Sequence, residues 1–176
     1  MPLKDITMHS NTQQAFSLME LLIVLILLGL MSLMALPSLT SLTLQTQEDT
    51  IRHDLHAALN NARIQAVLNR RVVEVCPFDT GNTCTHDWKN GWQSHFIGNP
   101  QTPFARHQPK QPLTLHWTGF SKTIRFNPNG TSPLSNGRFI HCRASIVSWQ
   151  LVINRQGRIR VASTEENLDQ QQRCTQ

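Results

Sequence analysis

Apolar residues are placed very unevenly along the chain. Leu21 to Leu36 is almost continuously aliphatic, and no Asp, Glu, Lys or Arg occurs from Leu21 to Gln47. A helix of roughly 20 apolar residues crosses a bilayer core, so this run predicts a membrane-spanning helix behind a short polar segment, residues 1–15. Further on, Ile51, Leu55, Ala58, Leu59, Ala62, Ala66 and Val67 recur at steps of three and four, the stripe of an amphipathic helix. The two patterns join into one helix from Phe16 to about Arg70, softened at Gly29 and Pro37.

After Arg71 the period shortens to two. Alternating or β-branched runs predict strands at 72–76 (VVEVC), 92–97, 113–117 (LTLHW), 123–126 (TIRF), 137–142 (GRFIHC), 145–153 (SIVSWQLVI) and 158–163 (RIRVAS). Asn90-Gly91 reads as a hairpin dipeptide, 98–112 as a loop, NPNGTSP as a turn, and the tail from Thr164 as polar chain. The expected class is α+β: a long helix laid on an antiparallel sheet system.

The last hairpin, LVINRQGRIRV, admits two registers. A two-residue Gln156-Gly157 loop sets Arg155 opposite Arg158 and mixes charge into both faces. A three-residue loop, Arg155-Gln156-Gly157 with Gly157 left-handed, pairs Ile153 with Ile159 and Leu151 with Val161. The second register gives a clean core face, with Arg158 and Arg160 on the other face beside Asn154 and Gln150, and Arg155 at the tip.

Charge sharpens this picture. The chain has 176 residues and a net charge of +5, yet no acidic residue lies between Asp87 and Glu165. A basic surface so little compensated points to a polyanionic partner. Arg155, Arg158 and Arg160 are the primary candidates for phosphate contacts, with Lys122, Arg125, Arg138 and Arg143 as a supporting patch. Trp88, Trp92, Trp117 and Trp149 sit in strand patterns and read as core. Cys76, Cys84, Cys142 and Cys174, beyond a membrane segment, favour two disulfides in an oxidising compartment. The expected pairing is Cys76–Cys84 and Cys142–Cys174. Zinc is the lesser reading, since His86 and His141 lie near cysteines without a C-x-x-C spacing. No cofactor is implied. No nucleophile–base arrangement, paired carboxylates or phosphate-cradling glycine loop stands out, so an enzyme is not expected.

AFSLMELLIVLILLGLM, from Ala15 to Met31, resembles the N-terminus of type IV pilins and of the related pseudopilins of type II secretion. The resemblance implies a leader, 1–15, cut by a prepilin peptidase between Ala15 and Phe16. Ala15 stands where that family usually has glycine. Phe16 would be N-methylated, and Glu20 would pair with the amino terminus of an adjoining subunit during filament assembly. It also implies a transmembrane and filament-core helix, 16–44, and a periplasmic globular domain, 45–176, with the type IV pilin fold. The implied location is the inner membrane, in contact with its lipid, before incorporation into the pilus beside major and minor pilins.

NGWQSHFI, TIRFNPNG and LVINRQGRIRV are similar to blocks shared by FimT-type minor pilins and the H-type pseudopilins of type II secretion. The G-R-x-R run, Gly157 to Arg160, is associated in the FimT type with binding DNA for uptake in natural transformation. The expected function is therefore non-specific binding of double-stranded DNA through the arginine-rich hairpin. The alternative is a structural role, as an H-type pseudopilin or an assembly-priming minor pilin.

Overall fold

The computed structural model describes residues 17–79, 81, 83–99 and 102–175, without the side chains of residues 32–41. The expected cleavage and methylation at Ala15 and Phe16 lie outside these residues, as does the leader. The chain divides into two compact units, Met1–Gln45 and Thr46–Gln176.

Helix α1 (Leu18–Leu68) is continuous through Gly29 and Pro37. Its start is set locally, because the Ser17 hydroxyl accepts a hydrogen bond from the Glu20 amide at 3.2 Å. Glu20 thus sits in the first turn, where the helix dipole favours a carboxylate. Among the described residues, no helix is long and apolar enough to cross a membrane. The expected span, 16–44, reaches into residues whose side chains are not described.

Within the second unit the amphipathic stripe does what its spacing predicts. Leu55, Leu59, Ala62 and Ala66 are fully buried, and Ile51 and Ala58 pack against the same cluster. Val67 departs from the expectation and stays exposed. It lies about 100° around the helix from Ala66, which already occupies the inward position.

Among the described residues eight antiparallel strands follow: β1 (Val73–Pro77), β2 (Trp92–Phe96), β3 (Ala105–His107), β4 (Leu115–Gly119), β5 (Ile124–Phe126), β6 (Gly137–Arg143), β7 (Ile146–Ile153) and β8 (Ile159–Val161). They form two four-stranded sheets, ordered β3-β2-β1-β5 and β4-β6-β7-β8. Inward residues of both sheets, among them Val75, Trp92, Phe126, Phe139, Leu151 and Ile159, join the helix stripe in one core. Every residue of that core and every strand lies within Thr46–Gln176, so this unit carries what it needs to fold alone.

Three local expectations need correction. Asn90-Gly91 is not a two-residue hairpin: Trp88–Asn90 is a 3-10 turn capped by the Asp87 carboxylate, and Gly91 ends it. The supposed loop 98–112 contains β3, which extends the first sheet by pairing with β2. The polar tail is structured as helix α2 (Thr164–Asp169) and a 3-10 turn, Gln171–Cys174. Both disulfides pair as expected, Cys76–Cys84 and Cys142–Cys174.

The outward face of the first sheet holds a buried carboxylate. Glu74 on β1 stands opposite His95 on β2 and Arg125 on β5. Its oxygens meet His95 Nε2 at 3.3 Å, the donating Thr123 hydroxyl at 2.6 Å and the donating Arg125 Nε at 2.8 Å. The hydrogen bond with His95, aided by Thr123 and Arg125, outweighs burial and holds the carboxyl at a pKa of about 2, against an ordinary 4.5. The folded value is depressed, so this stabilisation is complete above about pH 4.5 and is lost as the pH falls toward 2. Glu74→Gln should cost about 2–3 kcal/mol at neutral pH and much less in acid. Urea midpoints of the two proteins across the acid range check this; parallel pH profiles would refute it.

Candidate nucleic-acid interface

The β7–β8 hairpin adopts the three-residue loop and the register that its pattern predicts. Ile153 pairs with Ile159, Val152 with Arg160 and Leu151 with Val161. The Gly157 amide donates to the Asn154 carbonyl at 2.9 Å, and Gly157 is left-handed at φ 75°. The Asn154 side chain accepts from the Arg158 amide at 2.9 Å, closing the loop from inside.

The tip is held from outside as well. Its backbone packs on the β5–β6 turn, where the Ser132 amide donates to the Arg155 carbonyl at 2.9 Å. A Cβ on Gly157 would stand 2.2 Å from the Gly130 carbonyl oxygen. Arg63, on α1, bridges the two loops: Nε donates to the Gly130 carbonyl at 2.8 Å and Nη2 to the Gln156 carbonyl at 3.4 Å. The helix, one turn from each sheet and a single guanidinium therefore fix where the arginines stand. Arg63 was not expected in this role. Its first partner is 67 positions away, and no local pattern announces such a bond.

Pairing across β6, β7 and β8 sets Arg138, Val152 and Arg160 in one row. Paired residues share a face, so Arg138 and Arg160 stand about 10 Å apart on either side of Val152. Arg158 follows on the same side beyond β8, and Arg155 stands at the tip. These four arginines are brought together. Arg155 and Arg158 are exposed, and among the described residues their side chains have no hydrogen-bond or ion-pair partner.

The expected open face is in fact partly covered. Helix α2 lies across it, capped by Ser163 and Glu166 in a reciprocal capping box. Glu166 forms a bidentate pair with Arg160, both contacts at 2.7 Å. Hydrogen bonding from Arg160, the Ser163 amide and the charge of Arg138 hold the Glu166 carboxyl at about 2, and the pair raises Arg160 above its ordinary value. Gln150, expected on the exposed face, is fully buried. Its amide nitrogen donates to the Glu166 carbonyl at 2.8 Å and to Asn167 Oδ1 at 3.0 Å, and its oxygen accepts from Arg138 at 3.1 Å. The run Ser163-x-x-Glu166 is a capping-box signature and was the local signal for this helix.

The other candidates lie elsewhere. Arg125 faces outward on the first sheet and is held by Glu74. Arg143, at the far end of β6, forms a bidentate pair with Glu48 of α1. Burial pushes the Glu48 carboxyl up, but bonds from Arg143 and Ser148 outweigh it and leave it below its ordinary value. Lys122 is exposed between β4 and β5, at the opposite end of β5 from the turn that meets the hairpin. Trp88, Trp92 and Trp149 are buried and Trp117 is partly so, which removes them as stacking platforms.

A helix with a stripe packed on two antiparallel sheets, behind an apolar N-terminal helix segment, defines a type IV pilin-like protein. The family described as Type II transport protein GspH matches residues 52–157. The chain belongs to that family. A prokaryotic N-terminal methylation motif matches residues 10–36, which include Ala15, Phe16 and Glu20. Two crystal forms of the type IV minor pilin FimU from Pseudomonas aeruginosa share the fold. In space group P21 the identity is 23% and the TM-score 0.53, covering 66% of this chain and 89% of the other. In space group P65 the identity is 24% and the TM-score 0.51, covering 66% and 94%. The comparison with curated proteins found no match.

The clamp is directly testable. Gly157→Ala forces a side chain into a left-handed residue, which costs about 1–2 kcal/mol, and the contact with Gly130 raises the loss further. Arg63→Ala should cost about 1–2 kcal/mol and speed amide exchange at Gly157 and Ser132. Thermal melts and hydrogen exchange read both, and unchanged exchange in the Arg63 variant would remove the clamp from the account.

Proposed function

We propose that this GspH-family protein is a minor type IV pilin that binds double-stranded DNA without sequence preference, supporting DNA uptake in natural transformation. The observation that carries the reading is the hairpin tip. Arg155 and Arg158 project from a loop tied to α1 and to the neighbouring turn, with no carboxylate partner among the described residues. Unpaired guanidinium groups on a fixed backbone mount bind phosphate without first breaking an ion pair, and such contacts read no bases. Arg138 and Arg160 extend the same surface, and the buried tryptophans leave it a phosphate-contacting one.

The rest of the chain serves assembly in this reading. A peptidase removes residues 1–15 and the new Phe16 terminus is methylated. The helix 16–44 rests in the inner membrane and then in the filament core, where Glu20 meets the amino terminus of an adjoining pilin. The unit 45–176 faces the periplasm and afterwards the outside.

A second reading keeps the fold and drops the DNA: an H-type pseudopilin, or a minor pilin that only primes assembly. The internal pairing of Arg125, Arg143 and Arg160 favours it, because those cations already serve the fold. Titration of the Thr46–Gln176 unit with random duplexes separates the two. The DNA reading predicts a Kd on the order of 1–100 µM at physiological salt, with a log–log salt slope near −2, about −0.9 for each of the two tip arginines. Arg155→Gln with Arg158→Gln should abolish most of that binding and leave the melting profile unchanged. Absence of binding at low salt, or equal binding by the double variant, would sink the DNA reading in favour of the structural one.

A further inference from the structure

Helix α2 is anomalous as a structural element. It has six residues and none of them is buried. Leu168, its one large apolar side chain, is 62% exposed. A helix this short has no stability of its own, and it adds no residue to the main core. What holds it is polar: the two bonds from Gln150, the Glu166–Arg160 pair, and the bond from the Val147 amide to Gln171 Oε1 at 3.0 Å. One covalent link completes the set, Cys142–Cys174, at the end of the segment.

The charge of this segment complements what it covers. Glu165, Glu166 and Asp169 lie on α2 with no basic residue among them. Glu166 presents two oxygens to one guanidinium in a fork geometry that a phosphate also satisfies. Its carboxylate therefore occupies the position a phosphate oxygen pair would take on Arg160, within the field of Arg138.

We propose that the segment Ser163–Cys174 is a tethered acidic cover, which competes with nucleic-acid phosphates for Arg160 and Arg138 and confines binding to the hairpin tip until the tether is opened. The inference rests on the DNA reading above and names its regulation. The chain from β8 holds the near end of the cover and the disulfide its far end, so the cover stays over its site and a weak exposed pair competes beyond its own strength. Opening it needs a dithiol reductant. One reductant thiolate attacks a sulfur of Cys142–Cys174, its second thiol resolves the mixed disulfide, and two cysteine thiols and one reductant disulfide result. The bond joins β6 to the end of the segment, where Cys174 packs against the small cluster of Ile140, Cys142 and Val147. The main core, the strands and the Cys76–Cys84 link lie outside the covering segment.

Three variants of the Thr46–Gln176 unit test the cover by titration with random duplexes over a salt series. Glu166→Gln keeps the capping box, which accepts glutamine, and removes the competing charge. It should bind roughly tenfold more tightly at low salt, with a slope steeper by about 1–2 as Arg160 and Arg138 gain phosphates. Cys142→Ser with Cys174→Ser should move affinity and slope in the same direction. Adding Arg160→Gln to Glu166→Gln should return most of the gain. If Glu166→Gln and the double serine variant match the wild type in affinity and slope, while Arg155→Gln with Arg158→Gln still abolishes binding, the cover is overturned and the DNA reading stands. If neither wild type nor Glu166→Gln binds at low salt, both fall. Should the double serine variant fail to fold, Glu166→Gln alone decides.

Discussion

The contact between Gly130 and Gly157 governs how the arginine-bearing hairpin is presented. Two backbones meet there closely enough that a single added carbon would collide with a carbonyl oxygen, and Arg63 ties both loops to the helix. Each loop belongs to a different side of the fold: the turn leads out of β5 in the first sheet, and the hairpin closes the second. Joining them under one guanidinium converts a surface hairpin, ordinarily among the more mobile parts of a domain, into a fixed mount. The same bonds orient Arg155, whose carbonyl is engaged while its side chain is left to solvent.

The balance of charge follows from the topology rather than from the order of residues. A window without acidic residues runs through most of the second unit, yet three of its arginines are matched by acids from outside it. Glu48 reaches Arg143 from the helix, Glu74 reaches Arg125 from β1, and Glu166 reaches Arg160 from the tail. Each acid lies on an element that packs beside the window although it is distant in sequence or beyond its end. Net charge predicts a field, but only the fold decides which cations contribute to it. Arg155 and Arg158 remain because the hairpin tip extends past every element that carries a carboxylate partner for them among the described residues.

Short-range patterns were legible and long-range ones were not. The stripe Leu55–Leu59–Ala62–Ala66 and the register of Ile153 on Ile159 follow from periodicity, since burial imposes 3.6 and 2 on any chain that folds this way. Strand β3 was missed because three residues among prolines give too little alternation to register. Asn90-Gly91 misled because a hairpin dipeptide also suits the end of a 3-10 turn. The arginines of the candidate site were found by type and spacing. Arg63, Gln150 and Glu166, which position or mask them, were not, because their roles exist only once distant strands are side by side. Ser17 and Ser163 are the instructive cases: both stand three residues before a glutamate and both start a helix. In the first the charge of Glu20 overshadows the cap, and in the second the polar tail around Glu166 does.

Glu166 shows how little energy can redirect a surface of this kind. An exposed ion pair is by itself too weak to order a helix that has no buried residue of its own. The buried amide of Gln150 adds direction, because leaving its polar atoms unmet inside the domain would be costly. The Cys142–Cys174 link pins the far end of the segment, as β8 pins its near end, which limits how far each weak contact can open. Direction and proximity together let a six-residue helix occupy a guanidinium that the hairpin otherwise offers to solvent. The tip arginines escape because α2 starts after β8 and runs over the β6–β7 face, away from the loop. The number of guanidinium groups this surface leaves open is therefore set less by how many arginines it holds than by where a carboxylate can be anchored against them.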